Sequence, residues 1–300
     1  TLPMKILLTG AKGQVGNEIQ RRSAKLGLTV IPTSRATLDI SDKTQVAAIF
    51  EHEDFDLIIN AAAYTAVDNA ESDKEAAFQV NAVGVEHLAR LAKQHAIPLF
   101  HVSTDYVFDG ETTVAYQETA KTNPKTVYGA SKLEGENRLK EMLEAHIILR
   151  TSWVFGIDGN NFVKTMLRLG EANDELRVVA DQLGNPTFAG SIANALLGLA
   201  VQYRENGHLN WGTYHFNDDS TTTWHGFAKQ IISCGHKHRL IKTVPIVHPI
   251  STIDYPTPAL RPSYSSLDTS LFFTTFPEIG INDWQDGLEH MIFTLSQANS

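Results

Sequence analysis

Two hydroxyls, a phenol and an amine stand in this chain at spacings that could do acid–base chemistry. Ser103 and Thr104 close an apolar run, and Tyr128 and Lys132 follow at a four-residue interval. On a helix that interval places both side chains on one face. A phenol alone is a poor acid at neutral pH, with an unperturbed pKa of about 10. An ammonium one turn away favours the phenolate and so lowers that pKa, while a neighbouring hydroxyl can hold a substrate oxygen in line with the phenol. This is chemistry for reducing a carbonyl. A Tyr and a Lys four apart are also ordinary neighbours on a helix surface, so assigning Tyr128, Lys132 and Thr104 as catalytic requires a coenzyme site upstream.

The N-terminal stretch supplies one. The apolar run from Lys5 to Thr9 ends at Gly10, and Gly13 and Gly16 follow before a helical pattern begins at Asn17. Glycines at this strand-to-helix junction allow a tight turn, close approach of backbone to a pyrophosphate, and close helix–strand packing. A glycine-rich turn without a ligand is the plainer alternative, and the junction favours a dinucleotide. After a second strand, Leu28 to Pro32, no acidic residue stands where one would take the ribose hydroxyls of NAD. Ser34 and Arg35 stand there instead, a hydroxyl and a guanidinium suited to a 2′-phosphate, which favours NADPH over NADH. The plainer alternative for Arg35 is a solvated loop charge. Asp39 suits the adenine amino group and Ile40 the ring, although Asp39 could instead cap a helix starting near Ser41.

A third strand, Leu57 to Asn60, runs into Ala61, Ala62 and Ala63, small enough to let a coenzyme lie on the backbone or simply to pack closely. Tyr64 and Thr65 open the next loop. One long helix from about Lys74 to His95 leads to a fourth strand, Pro98 to Ser103. The catalytic helix runs to about Glu144, and Ile147 to Arg150 form a fifth strand with Trp153 just past its end, as a cleft wall or a core aromatic. Alternating strands and helices predict an α/β fold with a doubly wound parallel sheet, with ligands at the carboxyl ends of strands, where Gly10, Ala61 and Ser103 all fall. Residues 1–152 read as the dinucleotide-binding Rossmann domain. Residues 153–300, with helices at Asn161 to Leu169, Ser191 to Tyr203 and Thr223 to Ser233, read as a smaller, partly interleaved substrate domain with segments returning to the first.

Composition narrows the classes. The 300 residues carry 42% hydrophobic and 20% charged side chains, as an ordinary globular protein does. A net charge of −9 argues against a broad nucleic-acid surface. No apolar run approaches the roughly 20 residues of a membrane span, and no signal-peptide layout stands at the N-terminus, so a cytoplasmic location is expected. The single cysteine, Cys234, permits no intrachain disulfide. The twelve histidines form no His-x-x-x-His pattern and read as solvated or packed side chains. Thr1 to Pro3 read as a remnant ahead of a native start at Met4.

The stretches TGAKGQVG, NAAAYTAVDNAE, STDYVFDG, YGASKLEGE, RTSWVFG, DQLGNPT and YPTPALRPSYSSLDTS together resemble the extended short-chain dehydrogenases, from Met4 to about Phe272. The resemblance implies a Rossmann domain with a nucleotide-sugar domain. It implies NAD(P)H-dependent reduction of the 4-keto group of dTDP-4-dehydro-L-rhamnose to dTDP-L-rhamnose, a precursor of bacterial cell-surface polysaccharide such as lipopolysaccharide O-antigen, by an enzyme expected to be a homodimer. By resemblance Tyr128 is the proton donor, Lys132 its partner that also holds the nicotinamide ribose, and Thr104 the hydroxyl that positions the keto oxygen. Gly13, Gln14 and Val15 match diphosphate contacts, Asp39 and Ile40 adenine contacts, and Ala63, Tyr64 and Thr65 the middle of the coenzyme groove. Asp105, Tyr106 and Trp153 match substrate-side positions.

Two departures bear on the chemistry. Some relatives hold Mg2+ at a dimer interface through carboxylates; Glu18 matches one, but Gly190 stands at another, so no metal residue is assigned. Dehydratase cousins carry Asp-Glu after the threonine, whereas this chain has Thr104-Asp105-Tyr106, which argues for simple reduction. Two alternatives stay open: another nucleotide-sugar 4-ketoreductase or epimerase, and a non-catalytic NADP-binding regulatory subunit, such as one relative supplies to a methionine adenosyltransferase complex.

Overall fold

The computed structural model describes residues 3–299; Thr1 and Leu2, within the segment read as a remnant, and Ser300 lie outside the described residues. Six strands, β1 (Met4–Thr9), β2 (Leu28–Pro32), β3 (Leu57–Asn60), β4 (Leu99–Thr104), β5 (His146–Thr151) and β6 (Gly212–His215), form one sheet in the order β6-β5-β4-β3-β1-β2. Every neighbouring pair is parallel. Continuous apolar runs do this because both faces of a parallel sheet are covered. Successive residues point to opposite faces. Ile6, Leu8, Leu57 and Ile59 enter one core with Ile19, Ile192 and Leu196, while Leu7, Ile58, Leu99 and Ile148 enter another with Val85, Leu88 and Leu139.

Seven helices of ten or more residues stand among the described residues: α1 (Gln14–Ser23), α2 (Gly84–Gln94), α3 (Val127–Met142), α4 (Phe162–Ala172), α5 (Ala189–Asn206), α6 (Trp224–Lys237) and α7 (Trp284–Ala298). Helices α1 and α5 cover the first face of the sheet, α2 and α3 the second. This is the doubly wound sheet expected. Strand order reverses between β1 and β3, and the crevice at their carboxyl ends is where such sheets bind ligands.

The single helix expected from Lys74 to His95 is broken. A short helix, Lys74–Phe78, leads into a π-helical turn, Gln79–Val83, and only then into α2. The widened turn turns Asn81 inward to a buried position. Strand β6 has no apolar run of its own. It forms because Gly212 to His215 lie against β5, Tyr214 in register with Leu149. Beyond the sheet, α4, α6 and α7 pack around Phe155, Phe227, Ile231, Trp284 and Leu288. No helix among the described residues is long and apolar enough to cross a membrane.

Candidate active site

The carboxyl edge of the sheet opens into two adjoining cavities. One, of about 430 Å³, is lined by Gly13, Gln14, Val15, Ala61, Ala63 and Thr65 on one side and by Ser103, Thr104, Asp105, Tyr106, Tyr128, Lys132 and Trp153 on the other. The second, of about 530 Å³, continues past Gly10, Ala62 and Tyr64 to Ser34, Arg35, Asp39 and Ile40. The glycine turn is built for close approach. Gly10 has φ +70°, and a Cβ there would fall 2.4 Å from the Ala61 carbonyl carbon. A Cβ at Gly16 would fall 2.1 Å from the Gly10 carbonyl oxygen. Helix α1 begins directly after Gly13, and the N–H groups of a first turn have no carbonyl partner within the helix.

These residues fit a dinucleotide, since they offer a backbone cradle, helix N–H donors for an anion and cations beyond. Sequence reasoning passed over Lys12, which lines the second cavity beside Arg35; its signal is its place inside the glycine turn. Neither Lys12 nor Arg35 has a hydrogen-bond or ion-pair partner among the described residues, and both are exposed. Asp39 does not cap the helix that follows: Asp42 does, accepting from Thr44 and Gln45 N–H. Asp39 accepts from the Ser41 N–H and hydroxyl, at 3.0 and 2.7 Å. Ile40 is buried against Gly84. The Gln14 side chain accepts from Asn161 at 3.1 Å, joining α1 to the start of α4.

Helix α3 carries both Tyr128 and Lys132. Its cap is Thr126, whose hydroxyl accepts from Gly129 N–H, so Tyr128 sits in the first turn and Lys132 one turn on. The Lys132 ammonium donates to the Val102 carbonyl at 2.7 Å. Burial lowers its pKa to about 8, with the Glu136 carboxylate pushing the other way. The Tyr128 phenol differs from expectation. Burial pushes it up to about 12, a hydrogen bond with Thr104 pulls it back only in part, and the Asp105 charge adds to the rise. The lysine is spent on a main-chain carbonyl, and desolvation of the phenolate dominates. Tyr106 meets the Tyr128 ring edge-on, centroids 5.4 Å apart.

Thr104, buried at the end of β4, accepts from Tyr106 N–H and donates to Asp105 Oδ1, each at 3.2 Å. Asp105 is 5% exposed, its Oδ2 has no partner, and burial raises its pKa to about 7. Ser103 lines the cavity, but its hydroxyl donates to Glu136 at 2.5 Å. Glu136 also takes Arg150 Nη2 at 2.6 Å, and Arg150 reaches His215 Nε2 at 3.2 Å. His215 is held neutral, burial and Arg150 lowering its pKa to about 4, so Nδ1–H donates to the Tyr116 carbonyl. This fully buried chain fixes α3 against β4, β5 and β6.

Asn81 was not singled out in the sequence. Its amide brackets Tyr64, accepting from the N–H at 2.9 Å and donating to the carbonyl at 3.1 Å, and also donates to Ser131 at 3.0 Å. It therefore ties the groove loop to α3. Trp153, with φ +50°, stands on the cavity wall and stacks on Trp224 at 3.7 Å, so it is at once wall and packing. A third cavity of about 450 Å³ lies behind this stack, lined by Phe162, Gln182, Trp224, Arg177, Tyr255 and Arg261. Arg261 pairs with Asp68 at 2.9 Å.

Glu18, the position matched to a metal ligand, is buried and paired with Arg21 and Arg22, the latter at 2.7 Å. A side chain at Gly190 would meet Arg22 Nη2 at 2.5 Å and Phe188 at 2.3 Å. Two guanidiniums around one carboxylate do not fit a divalent cation.

The protein-family model described as RmlD substrate binding domain matches residues 4–297. The chain is 43% identical to a dTDP-4-dehydrorhamnose reductase of Aggregatibacter actinomycetemcomitans, over 96% of this chain and 98% of that one. Among solved structures, a dTDP-4-dehydrorhamnose reductase of Clostridium acetobutylicum superposes with a TM-score of 0.88 at 38% identity, covering 97% of this chain and 99% of that one. A dTDP-4-dehydrorhamnose reductase of Bacillus anthracis in complex with NADP superposes with a TM-score of 0.88 at 34% identity, covering 98% and 100%.

Proposed function

The chain belongs to the RmlD substrate binding domain family, and on that footing we propose that it reduces the 4-keto group of dTDP-4-dehydro-L-rhamnose to give dTDP-L-rhamnose. It is an NAD(P)H-dependent oxidoreductase of rhamnose biosynthesis. The observation that carries the residue assignment is convergence: Thr104, Tyr128 and Lys132 line the same cavity as the helix-capping turn at Gly13.

When bound, the nicotinamide supplies the hydride. The chain's own groups do the rest. Thr104 holds the keto oxygen beside the Tyr128 hydroxyl. Tyr128, kept protonated by its burial, gives its proton to the alkoxide oxygen as charge develops there. Lys132, fixed on the Val102 carbonyl, brings positive charge to the phenolate left behind. Asp105 carries a carboxyl poised near neutrality, able to donate or accept toward a sugar hydroxyl. Tyr106 and Trp153 wall the sugar, and the glycine turn, Ala61 to Thr65 and the Ser34–Ile40 segment hold the coenzyme. Uncommitted Lys12 and Arg35 favour NADPH. By resemblance the enzyme is a cytoplasmic homodimer whose product feeds a cell-surface polysaccharide such as O-antigen, and residues 153–300 mainly form the substrate domain.

The test is coenzyme oxidation with dTDP-4-dehydro-L-rhamnose generated in situ, against a sugar-free control. Turnover that requires the sugar is expected, faster with NADPH. Coenzyme binding without turnover would overturn the reading in favour of a different nucleotide sugar or a regulatory subunit.

A further inference from the structure

At the end of α6 away from Trp224, three metal-ligating side chains meet outside the cavities described above. Cys234 lies in the last turn of α6, His238 caps that end four residues on, and Glu289 reaches them from α7. Cys234 Sγ lies 3.1 Å from Glu289 Oε2, and His238 Nε2 lies 2.6 Å from Glu289 Oε1. The candidate ligand atoms of all three lie within 4.8 Å of one another. Cys234 and His238 are mostly buried, and the 44% exposed Glu289 side chain opens the group to solvent.

We propose that Cys234, His238 and Glu289 form a binding site for a zinc-class divalent cation, with water at the fourth position. One sulfur, one nitrogen and one oxygen donor make a set that Zn2+ accepts and that the harder Mg2+ does not. Around a tetrahedral ion the ligand atoms would stand about 3.3–3.7 Å apart. The two contacts to the Glu289 carboxylate therefore need to open by less than about 1 Å, and the remaining pair of ligand atoms already lies within 4.8 Å. Binding turns the Cys234 thiol into a thiolate and releases its proton to solvent. The thiolate and the Glu289 carboxylate then balance the dication.

Two neighbours define the site further. Lys237 Nζ donates to Glu289 Oε1 at 3.0 Å, so its ammonium occupies the carboxylate an ion would use. Its side chain is 65% exposed and free to swing away. His236, two residues from Cys234, has its ring turned to the Ile241 carbonyl at 3.0 Å and is not a fourth ligand. An ion here would join α6 to α7. The other end of α6 carries Trp224, the partner of Trp153 in the cavity wall. The sequence reading of scattered histidines missed the set because its third member is 51 residues beyond His238.

The experiment is titration of untagged full-length protein with Co2+ as an optical probe. Expected are one equivalent bound, a thiolate-to-cobalt charge-transfer band in the near ultraviolet, and loss of that band on adding Zn2+. Loss of even an outer hydrogen-bonding partner weakens metal sites about 10–100-fold, so Cys234→Ser and His238→Gln should weaken binding at least that much, and Cys234→Ser should abolish the band. Lys237→Ala removes the competing ammonium and should tighten binding, a change that leaves all three ligands in place. Absence of the band at saturating Co2+, equal uptake by wild type and Cys234→Ser, or binding unchanged in Lys237→Ala and His238→Gln would each overturn the proposal.

Discussion

The Lys132 ammonium, one helical turn from Tyr128, is held 2.7 Å from the Val102 carbonyl, so it is fixed to the sheet rather than to the phenol. Its charge is lost as pH rises through about 8. In a pH profile of kcat/KM, activity is expected to fall about tenfold per unit above that value. The Glu136 carboxylate raises the lysine's pKa, so Glu136→Gln should move the alkaline limb to lower pH. Lys132→Arg, which stays charged, should flatten it. A limb unmoved by both changes would show that another group titrates there.

Tyr128→Phe removes the only proton that the phenol can give and leaves the ring's volume and its edge contact with Tyr106. General acid catalysis contributes about 10²–10⁴-fold, so kcat should drop by that order while NADPH affinity changes little. Stopped-flow turnover beside a fluorescence titration of NADPH separates the two. Wild-type turnover in this variant would remove Tyr128 from the mechanism.

Arg35 and Lys12 line the far cavity with no partner among the described residues, which suits them to an anion. Arg35→Ala is expected to weaken NADPH about tenfold, the worth of one exposed charged hydrogen bond, and NADH far less. Lys12→Ala should act in the same direction. Equal losses for both coenzymes in paired titrations would reject a 2′-phosphate role.

Asp218 accepts from Phe188 N–H at 2.9 Å and from the Ser191 hydroxyl at 3.1 Å, at the start of α5, while its Oδ1 has no partner. Burial raises its pKa to about 7. The folded chain therefore keeps a proton that the unfolded chain gives up near pH 4, and stability falls as pH rises from about 4 through 7. Asp218→Asn keeps both hydrogen bonds without the charge. It should match wild type near pH 4 and exceed it at pH 8 by up to about 4 kcal/mol in urea unfolding. A pH-independent difference would place the effect elsewhere.

Much of the frame was legible because its signals are local. The run from Lys5 to Thr9 with glycines at 10, 13 and 16, and the step from Tyr128 to Lys132, are contained in single elements. What escaped depends on distant segments meeting. Asn81 holds Tyr64 and Ser131 because a π turn aims it there, and nothing in the residues from Lys74 to His95 announces that turn. Strand β6 exists by pairing with β5, and Trp153 finds Trp224 across 71 residues. The acidity of Tyr128 went the other way from the reading for the same reason. Spacing puts a lysine on the right face, but burial, which belongs to the packed molecule, outweighs it.

The π turn also makes chain length itself part of the design. One residue of helix advances about 100° around the axis. Deleting one residue between Gln79 and Val83 would let the segment run on as ordinary helix, yet it would break the present alignment of Asn81 on one side with Val85 and Leu88 on the other. Either the amide would leave Tyr64 or the apolar stripe would leave the sheet. Substitutions in this stretch can be absorbed one side chain at a time, whereas a change of a single codon in its length sets the anchoring of the groove against the packing of the core.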